Sequence, residues 1–323
     1  VLAGVVHCLG EKPVALSRAE TDEIAQAAKD ANRHFAACHN FLGLPSYERL
    51  RAVRFSGMLG RISSAEINWH LPLSPLRSGP FGLWLLREPK NLLLELGPHL
   101  FGFVVDLFGA PEIEYLSTAK PVTLPGGDVR SQSWRILARA GDVDVTINLS
   151  LVAVVDDRSV ILRGSSGLAR LDYASDTLLV QRDNAADIVI NPARRQLSLA
   201  GQVLRDGAVN ATRQVTSLYR ESPYALSFIG TFTAFYGAIA RDVPLDRRFD
   251  GASAAVVMQA IDDTIERLPP HTPPVHRQTR TPEPDVLVIG GTGFIGRALT
   301  GTLVARGHDV RVLSRGRSGP FEH

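Results

Sequence analysis

Three side chains with acid–base or cationic chemistry occur at positions that could bring them together. Glu95 and His99 stand four residues apart in an apolar run, so a helix there would carry both on one face. Carboxylate and imidazole groups are among the side chains that most often transfer protons in enzymes. Lys12, within Glu11-Lys12-Pro13, directly follows a short apolar run much earlier in the chain. We predict that the Lys12, Glu95 and His99 side chains converge on one pocket.

A glycine-rich turn near the C-terminus has the spacing of a dinucleotide-binding loop. It lies between the apolar run Val286–Ile289 and an apolar helical pattern that starts at Phe294. Its glycines would let the chain turn tightly and let backbone N–H groups approach a pyrophosphate at the positive end of the helix. Arg315, after the second strand, suits the 2′-phosphate of NADP; the alternative is a purely structural turn. The cofactor-binding residues predicted here are Gly290, Gly293, Phe294, Ile295, Gly296 and Arg315.

A strand–helix–strand unit is predicted to position Lys12. Val5–Leu9 and Phe35–Phe41 have the apolar composition of short buried strands. Ser17 and Glu20 form a capping-box pattern at the start of the helix between them. Two strands joined by a helix indicate a parallel crossover, with Lys12 just beyond the first strand.

The middle of the chain is predicted to hold a sheet and several helices. One helix begins at Pro45 and ends near Gly57, and a strand covers Ile62–Trp69. Leu71–Pro89, rich in Pro and Gly, is predicted to be a long loop, and an apolar helix follows over Lys90–Phe108. Turn signals then separate alternating runs, which predicts a meandering antiparallel sheet. Its strands are Ile113–Thr118, Val129–Ala138, Val143–Val154, Ser159–Leu162 and Ala169–Tyr173, and the helices after it are Ala208–Arg220, Pro223–Ala240 and Ala252–Leu268.

Composition and charge narrow the class of protein. The 323 residues are 45% hydrophobic and 21% charged, as in ordinary globular domains, and the length predicts about two domains. The net charge of +2 argues against a nucleic-acid or membrane-surface protein, and no apolar run of about 20 residues indicates a membrane span. Cys8 and Cys38 both lie in apolar runs, so we expect no disulfide framework, no metal site, and a reducing, cytoplasmic location.

Two family resemblances rest on these motifs. Residues 5–268 resemble the glucose–fructose oxidoreductase/inositol dehydrogenase family (Gfo/Idh/MocA). The resemblance implies a Rossmann domain that binds NAD(P) and an α/β domain with a large open sheet. The glycine turn resembles the start of the extended short-chain dehydrogenases, the NAD-dependent epimerase/dehydratase family, whose catalytic Tyr-x-x-x-Lys would lie beyond His323. The motifs behind the first resemblance are Glu11-Lys12-Pro13, His39-Asn40, Gly57-Met-Leu-Gly60, Gly97-Pro-His99 and Gly164-Ser-Ser-Gly167.

Patterns and resemblances together predict an α/β and α+β chain in four segments. Residues 1–40 would be the C-terminal part of a Rossmann domain. Residues 41–268 would be the α/β substrate and dimerisation domain, with a large open, mainly antiparallel sheet. Residues 269–284, which hold six prolines, would be a linker, and 285–323 the first β-α-β of a second Rossmann fold. The first family's glycine motif is missing before Val1, so we expect an internal piece of a longer protein.

The resemblance also implies roles for individual residues. Lys12 would polarise or deprotonate the reacting hydroxyl, and His99 would be the general base. Glu95 stands where the family usually has Asp, and this extra methylene would limit it to orienting His99. Glu11, Lys12 and Pro13 would contact the cofactor, NAD or NADP. The plainer alternatives are a surface charge for Lys12 and a hydrogen-bonded core histidine for His99.

A further group of residues could line a sugar pocket through stacking and hydrogen bonds, with loop packing as the equal alternative. These substrate candidates are Asn40, Trp69, Arg77 and Trp84. The expected partners are a sugar or nucleotide-sugar and a second copy of the chain, bound through the open sheet.

Two functions of different class follow. The first is a bifunctional protein in which a sugar or nucleotide-sugar oxidoreductase, acting by hydride transfer at a ring hydroxyl, is fused to an epimerase/dehydratase; this piece alone would be inactive. The second is a non-catalytic sugar- or dinucleotide-binding or dimerisation module, with Glu95 as the mark of lost activity. A circular permutation, in which residues 285–315 complete the N-terminal unit, is a third arrangement.

Overall fold

The computed structural model describes residues 6–79, 81–124, 127–153, 155–182, 190–271 and 283–313, without the side chains of Arg77 and Ser78. The strands are β1 Cys8–Gly10, β2 Phe35–Ala37, β3 Ile62–His70, β4 Glu112–Thr123, β5 Val129–Ala140, β6 Val143–Ser150, β7 Asp157–Gly164, β8 Gly167–Asp172, β9 Thr177–Arg182, β10 Val286–Ile289 and β11 Val310–Leu313. The helices are α1 Arg18–Asp30, α2 Pro45–Phe55, α3 Ser74–Ser78, α4 Trp84–Arg87, α5 Pro89–Phe108, α6 Asn191–Thr216, α7 Pro223–Arg241, α8 Gly251–Ile265 and α9 Phe294–Ala305.

The N-terminal strand–helix–strand unit is confirmed, since β1 and β2 pair in parallel around α1. Ser17 caps α1 by accepting the Glu20 N–H at 3.3 Å, while the Glu20 carboxylate accepts the Leu16 N–H at 2.8 Å. The predicted strand to Phe41 is too long, because β2 ends at Ala37 and a 3-10 turn follows. That turn packs on α7 so closely that a Cβ at its last residue, Gly43, would lie 2.4 Å from a backbone oxygen of α7.

The large sheet has seven strands in the order β4-β5-β6-β3-β7-β8-β9. Antiparallel pairs join β5 to β6, β7 to β8, and β8 to β9. The mainly antiparallel sheet is therefore confirmed, but the simple meander is wrong. β3, which precedes the other six strands in the chain, lies at the centre and pairs in parallel with β6 and antiparallel with β7. The last strand, β9, was not predicted.

Two segments contain more helix than the sequence predicted. Leu71–Pro89, predicted to be a loop, holds the short helices α3 and α4. The predicted helix at Ala208–Arg220 is the second half of the much longer α6. Gly201 and Gly207 weaken the helical pattern of this segment, because glycine has low helix propensity. In the structure a contact with β9 stabilises α6: the Gln202 side-chain amide accepts the Val180 N–H and donates to the Val180 carbonyl oxygen.

The chain divides into two compact units. The first comprises residues 1–72, 93–118 and 133–268, and the second residues 73–92, 119–132 and 269–323. In the first unit, α5 and α8 supply fully buried core residues such as Phe101, Phe103, Val104 and Ile261. In the second, β10 and β11 pair in parallel around α9, as predicted. Most of the proline-rich segment 269–284 lies outside the described residues.

One described helix, α5, is long and apolar enough to cross a membrane by length and composition alone. However, 72% of its apolar stretch is buried within the protein. It therefore has the burial of a core helix.

Candidate active site

Lys12 and Glu95 meet directly. The Lys12 ammonium lies just after β1, and its Nζ donates to Glu95 Oε1 at 2.7 Å and to the Glu95 carbonyl oxygen at 3.0 Å. Pro98 lies inside α5, where proline disturbs the backbone hydrogen bonds of the preceding turn. The Glu95 carbonyl belongs to that turn and accepts from the ammonium. The contact therefore joins the end of the parallel pair to the middle of α5.

His99 lies one turn further along α5, in an aromatic environment. Its ring stacks on Trp69, with centroids 5.5 Å apart and planes 12° apart, and meets Phe41 edge-on at 5.0 Å. Burial, followed by the charges of Lys12, His39 and Arg158, holds the pKa of His99 well below its usual 6.5. The imidazole is therefore neutral near pH 7, the form in which it can accept a proton.

One ring nitrogen of His99 lies in the protein interior. Nδ1 is buried and has no hydrogen-bond partner among the described residues. Buried polar atoms nearly always have partners, so an unpartnered one is expected mainly at functional sites or where a water or ligand belongs.

Arg158 is a residue of this site that the sequence did not reveal. The antiparallel pairing of β3 with β7 places it opposite Trp69, and its guanidinium lies 5.4 Å from the Trp69 ring centroid. The Asp156 carboxylate holds it through Nε at 2.8 Å and Nη2 at 2.7 Å. No motif marks the start of β7, and only knowledge of the β3–β7 pairing could have indicated this position.

The four predicted substrate residues lie in different environments. The Asn40 amide donates to Ser227 Oγ at 2.8 Å, and Trp69 is buried against His99. Trp84 belongs to the second unit, where its carbonyl accepts from the Asn91 amide at 2.7 Å. The Arg77 side chain lies outside the described residues. A substrate-binding role for these four residues stays a prediction.

Glu11, Pro13 and Cys38 surround Lys12 at the end of β1 and β2. The exposed Glu11 carboxylate accepts the Lys12 N–H at 2.7 Å, and the Lys12–Pro13 peptide is cis. Burial, and then the Glu11 charge, raise the pKa of the Cys38 thiol to about 12, so it stays protonated. Within the described ranges, no cluster of His, Cys, Asp or Glu could hold a metal ion.

The glycine turn has the geometry that a pyrophosphate needs. Gly290 has φ +75°, and a Cβ at Gly296 would lie 2.1 Å from the Gly290 oxygen. α9 starts after Gly293 without a side-chain cap, which leaves its first N–H groups available to an anion. These residues fit a dinucleotide phosphate. Phe294 and Ile295 are 96% and 79% exposed, and Arg315 lies outside the described residues.

The N-terminal unit offers no such cradle among its described residues. Between residues 6 and 40 the one helix is α1, whose N-terminus is capped by the Ser17 side chain. The described part of residues 6–40 therefore supplies Lys12 next to Glu95 and contains no phosphate-binding turn.

Comparison with known sequences finds matches to the C-terminal segment. Residues 286–322 match the model of the NAD dependent epimerase/dehydratase family. Over 35 residues the chain is 66% identical to the Epimerase family protein SDR39U1 of Bos taurus. That match covers 11% of this chain and only 12% of the relative's length.

Comparison with solved structures concerns the rest of the chain. Levoglucosan dehydrogenase in complex with NADH and levoglucosan has a TM-score of 0.63 at 17% identity, covering 82% of this chain and 72% of its own. The WlbA dehydrogenase from Bordetella pertussis, in complex with NADH and UDP-GlcNAcA, has a TM-score of 0.60 at 14% identity, covering 82% and 71%. The resemblances are confirmed at the level of fold and C-terminal motif: most of this chain has the fold of the Gfo/Idh/MocA-type NAD-binding oxidoreductases, and its last segment matches the NAD dependent epimerase/dehydratase family.

Proposed function

We propose that this chain carries the substrate site of an NAD(P)-dependent sugar or nucleotide-sugar oxidoreductase, joined to the start of an epimerase/dehydratase-type domain. The observation that carries the proposal is the Lys12–Glu95 contact beside a neutral His99. The solved relatives that share the fold were crystallised with NADH and a sugar or nucleotide-sugar, which supports this substrate class.

Lys12 would bind the reacting hydroxyl. An ammonium has three N–H donors, and two of them point to Glu95 Oε1 and to the Glu95 carbonyl oxygen. The third is free to donate to the hydroxyl oxygen of a ring alcohol. That bond stabilises the negative charge that develops on oxygen as the alcohol is oxidised.

His99 would take the proton. Its neutral imidazole accepts the hydroxyl proton through Nε2 while the C–H bond breaks and the carbonyl forms. NAD(P), when bound, accepts the hydride. The carbinol therefore loses one hydride and one proton, and a keto-sugar results. NADP would be favoured only at the C-terminal turn, through Arg315.

A non-catalytic binding module is the second candidate. Two observations favour it: Glu95 replaces the usual aspartate, and the Asn40 amide and Trp69 ring, both candidates for substrate contact, are engaged with Ser227 and His99. Such a module would bind a sugar or dinucleotide and release it unchanged.

Mass spectrometry separates the two candidates. The 323-residue chain and the longest protein encoded by its reading frame are each incubated with NAD+ or NADP+ and a panel of free sugars and UDP-sugars. We expect a product two hydrogens lighter than one of these substrates from the longer protein and none from the chain itself, because no described residue before Lys12 forms a phosphate-binding turn. Binding without any lighter product from the longer protein would favour the module. Dimerisation through the open sheet and a cytoplasmic location remain proposals.

A further inference from the structure

A second cavity in the first unit is lined by arginines. It has a volume of about 290 Å³ and lies where the end of α2, the C-terminal half of α5 and the start of α8 meet. Its lining includes none of Lys12, Glu95 and His99. The arginines at its wall are Arg51, Arg54, Arg247 and Arg248.

Two of these arginines already form ion pairs with aspartates of the protein. Arg51 Nε donates to Asp106 Oδ2 at 2.7 Å, and Asp106 also accepts the Tyr47 hydroxyl. Arg248 donates to Asp246 Oδ2 at 2.6 Å and to the Leu42 carbonyl oxygen at 2.8 Å. Asp106, the carboxylate of the cavity wall, is therefore already neutralised and adds no free negative charge to the cavity.

The other two arginines have no anionic partner among the described residues. The Arg54 guanidinium lies 5.5 Å from the Phe55 ring centroid and 5.4 Å from that of Phe108. Its Nε is buried and lacks a hydrogen-bond partner. Arg247 is exposed at the same cavity. Two uncompensated positive charges thus line one partly open cavity, and aromatic neighbours hold one of them in place.

A buried histidine adds an independent sign of a ligand. His39 lines the cavity and is only 4% exposed, and its Nδ1 has no partner within the described part of the chain. Unpartnered buried nitrogens are rare in folded proteins, and here His39 and Arg54 contribute two to the wall of one cavity. A polar molecule in the cavity would supply the missing partners.

We infer that this cavity binds the phosphate group of a small phosphorylated molecule, with Arg54 and Arg247 as its cationic ligands. The planar fork of a guanidinium matches phosphate oxygens, and charge-assisted bonds of this kind are the strong ones. The cavity is larger than a phosphate ion and lies near the lower end of the range for small-molecule sites, about 300–1,000 Å³. The space beyond the phosphate suits a short polar body.

Calorimetric titration of the full chain with inorganic phosphate and with glucose 6-phosphate tests the inference. We expect glucose 6-phosphate to bind more tightly than phosphate, and both to bind more weakly as NaCl is added. Arg54→Gln and Arg247→Gln should each weaken binding at least tenfold. Arg54→Lys should weaken it less, because the charge remains and only the fork is lost. Arg61→Gln is the matched control, since Arg61 is exposed and does not line the cavity.

Arg247→Gln keeps the test valid if Arg54→Gln proves unstable, because Arg247 is exposed. No heat with either compound, or affinities unchanged in both glutamine variants, would overturn the inference. So would binding that is lost only in Lys12→Met, because the anion would then lie at the other site. Equal affinity for phosphate and glucose 6-phosphate would identify free phosphate as the ligand and overturn the proposed phosphorylated molecule.

Discussion

Lys12 Nζ lies 2.7 Å from Glu95 Oε1 and 3.0 Å from the Glu95 carbonyl oxygen, so a single glutamate holds the ammonium through its side chain and its backbone. The Lys12 side chain is 12% exposed, against 37% for Glu95. The cation is therefore the more enclosed partner, and it depends on Glu95 for compensation of its charge. This dependence makes Glu95 a positioning residue for Lys12.

Replacing Glu95 should impair catalysis through Lys12. Glu95→Gln keeps an oxygen and the backbone contact but removes the negative charge. We expect kcat/KM to fall about tenfold, as for loss of one charge-assisted hydrogen bond of about 1.5 kcal/mol, with KM less affected than kcat. Glu114→Gln is the control, because the exposed Glu114 carboxylate bonds Arg139 in the large sheet and belongs to no predicted site. Equal activity of the two variants would contradict the role given to Glu95.

The pH profile should report the neutral His99. Because burial and the surrounding cations lower the pKa of His99, its base form persists below pH 6.5, and the acidic limb of kcat/KM should lie below that value. Arg158→Gln removes one of the cations that lower the pKa, so the limb should move to higher pH. Steady-state rates measured from pH 4.5 to 8 in both proteins test these two expectations. A limb at 6.5 or above in the unaltered protein, or a downward shift in the variant, would count against His99 as the base.

His39 should make stability depend on pH. Burial lowers its pKa to about 4, whereas in the unfolded chain it titrates near 6.5. Between these values the unfolded state binds the proton more readily, so the free energy of unfolding falls as pH is lowered from 6.5 to 4. The shift corresponds to about 3 kcal/mol.

Urea unfolding at pH 7 and pH 4.5, in phosphate-free buffer, measures this effect. His39→Phe should lose part of the difference between the two pH values, because His99, whose pKa burial also lowers, contributes in the same range. The partly exposed His70→Gln should keep the full difference. The same difference in His39→Phe as in the unaltered chain would assign the pH dependence to other groups.

Substitution of Gly296 in the glycine turn should disturb α9, and substitution of Gly301 in the same helix is the control. Gly296→Ala would place a Cβ 2.1 Å from the Gly290 oxygen, whereas Gly301→Ala meets nothing within 4 Å. We expect the first variant to lose hydrogen-exchange protection across α9 and the second to keep it. Calorimetry of the unaltered chain should show only weak NAD+ or NADP+ binding, because β10, α9 and β11 alone offer no adenine or nicotinamide pocket among the described residues. Protected α9 amides in Gly296→Ala, or micromolar binding that Gly293→Val abolishes, would contradict these expectations.

Local signals predicted the elements that position Lys12 and His99. The Ser17 cap, the apolar face of α5 and the i, i+4 pair all depend on residues close in sequence, and each appears in the structure. That Lys12, Glu95 and His99 converge was predicted from their order and from the i, i+4 spacing, because a strand end and an apolar helix are both identifiable from local patterns. The direct contact of Lys12 with Glu95 was not predicted and is known from the structure.

The pairing of strands that are distant in the chain could not be predicted from the sequence. β3 lies between β6 and β7 and pairs with one along each edge, and a two-residue periodicity carries no information about which strands are neighbours. Arg158 was missed for the same reason, since only the register of β7 on β3 brings it to Trp69. The first half of α6 was missed because its glycines weaken the helical pattern while β9 stabilises the helix.

Lys12 and His99 are proposed to perform the proton chemistry of a sugar oxidation. Hydride transfer to NAD(P)+, measured as absorbance at 340 nm, tests this role most directly. The longest protein encoded by the reading frame is assayed with the substrate found by mass spectrometry, alongside Lys12→Met, His99→Gln and the control Arg61→Gln. We expect NAD(P)H formation in the unaltered protein and the control, and a fall in kcat/KM of about 10²–10⁴-fold in the other two. Full activity in Lys12→Met or His99→Gln would contradict the account.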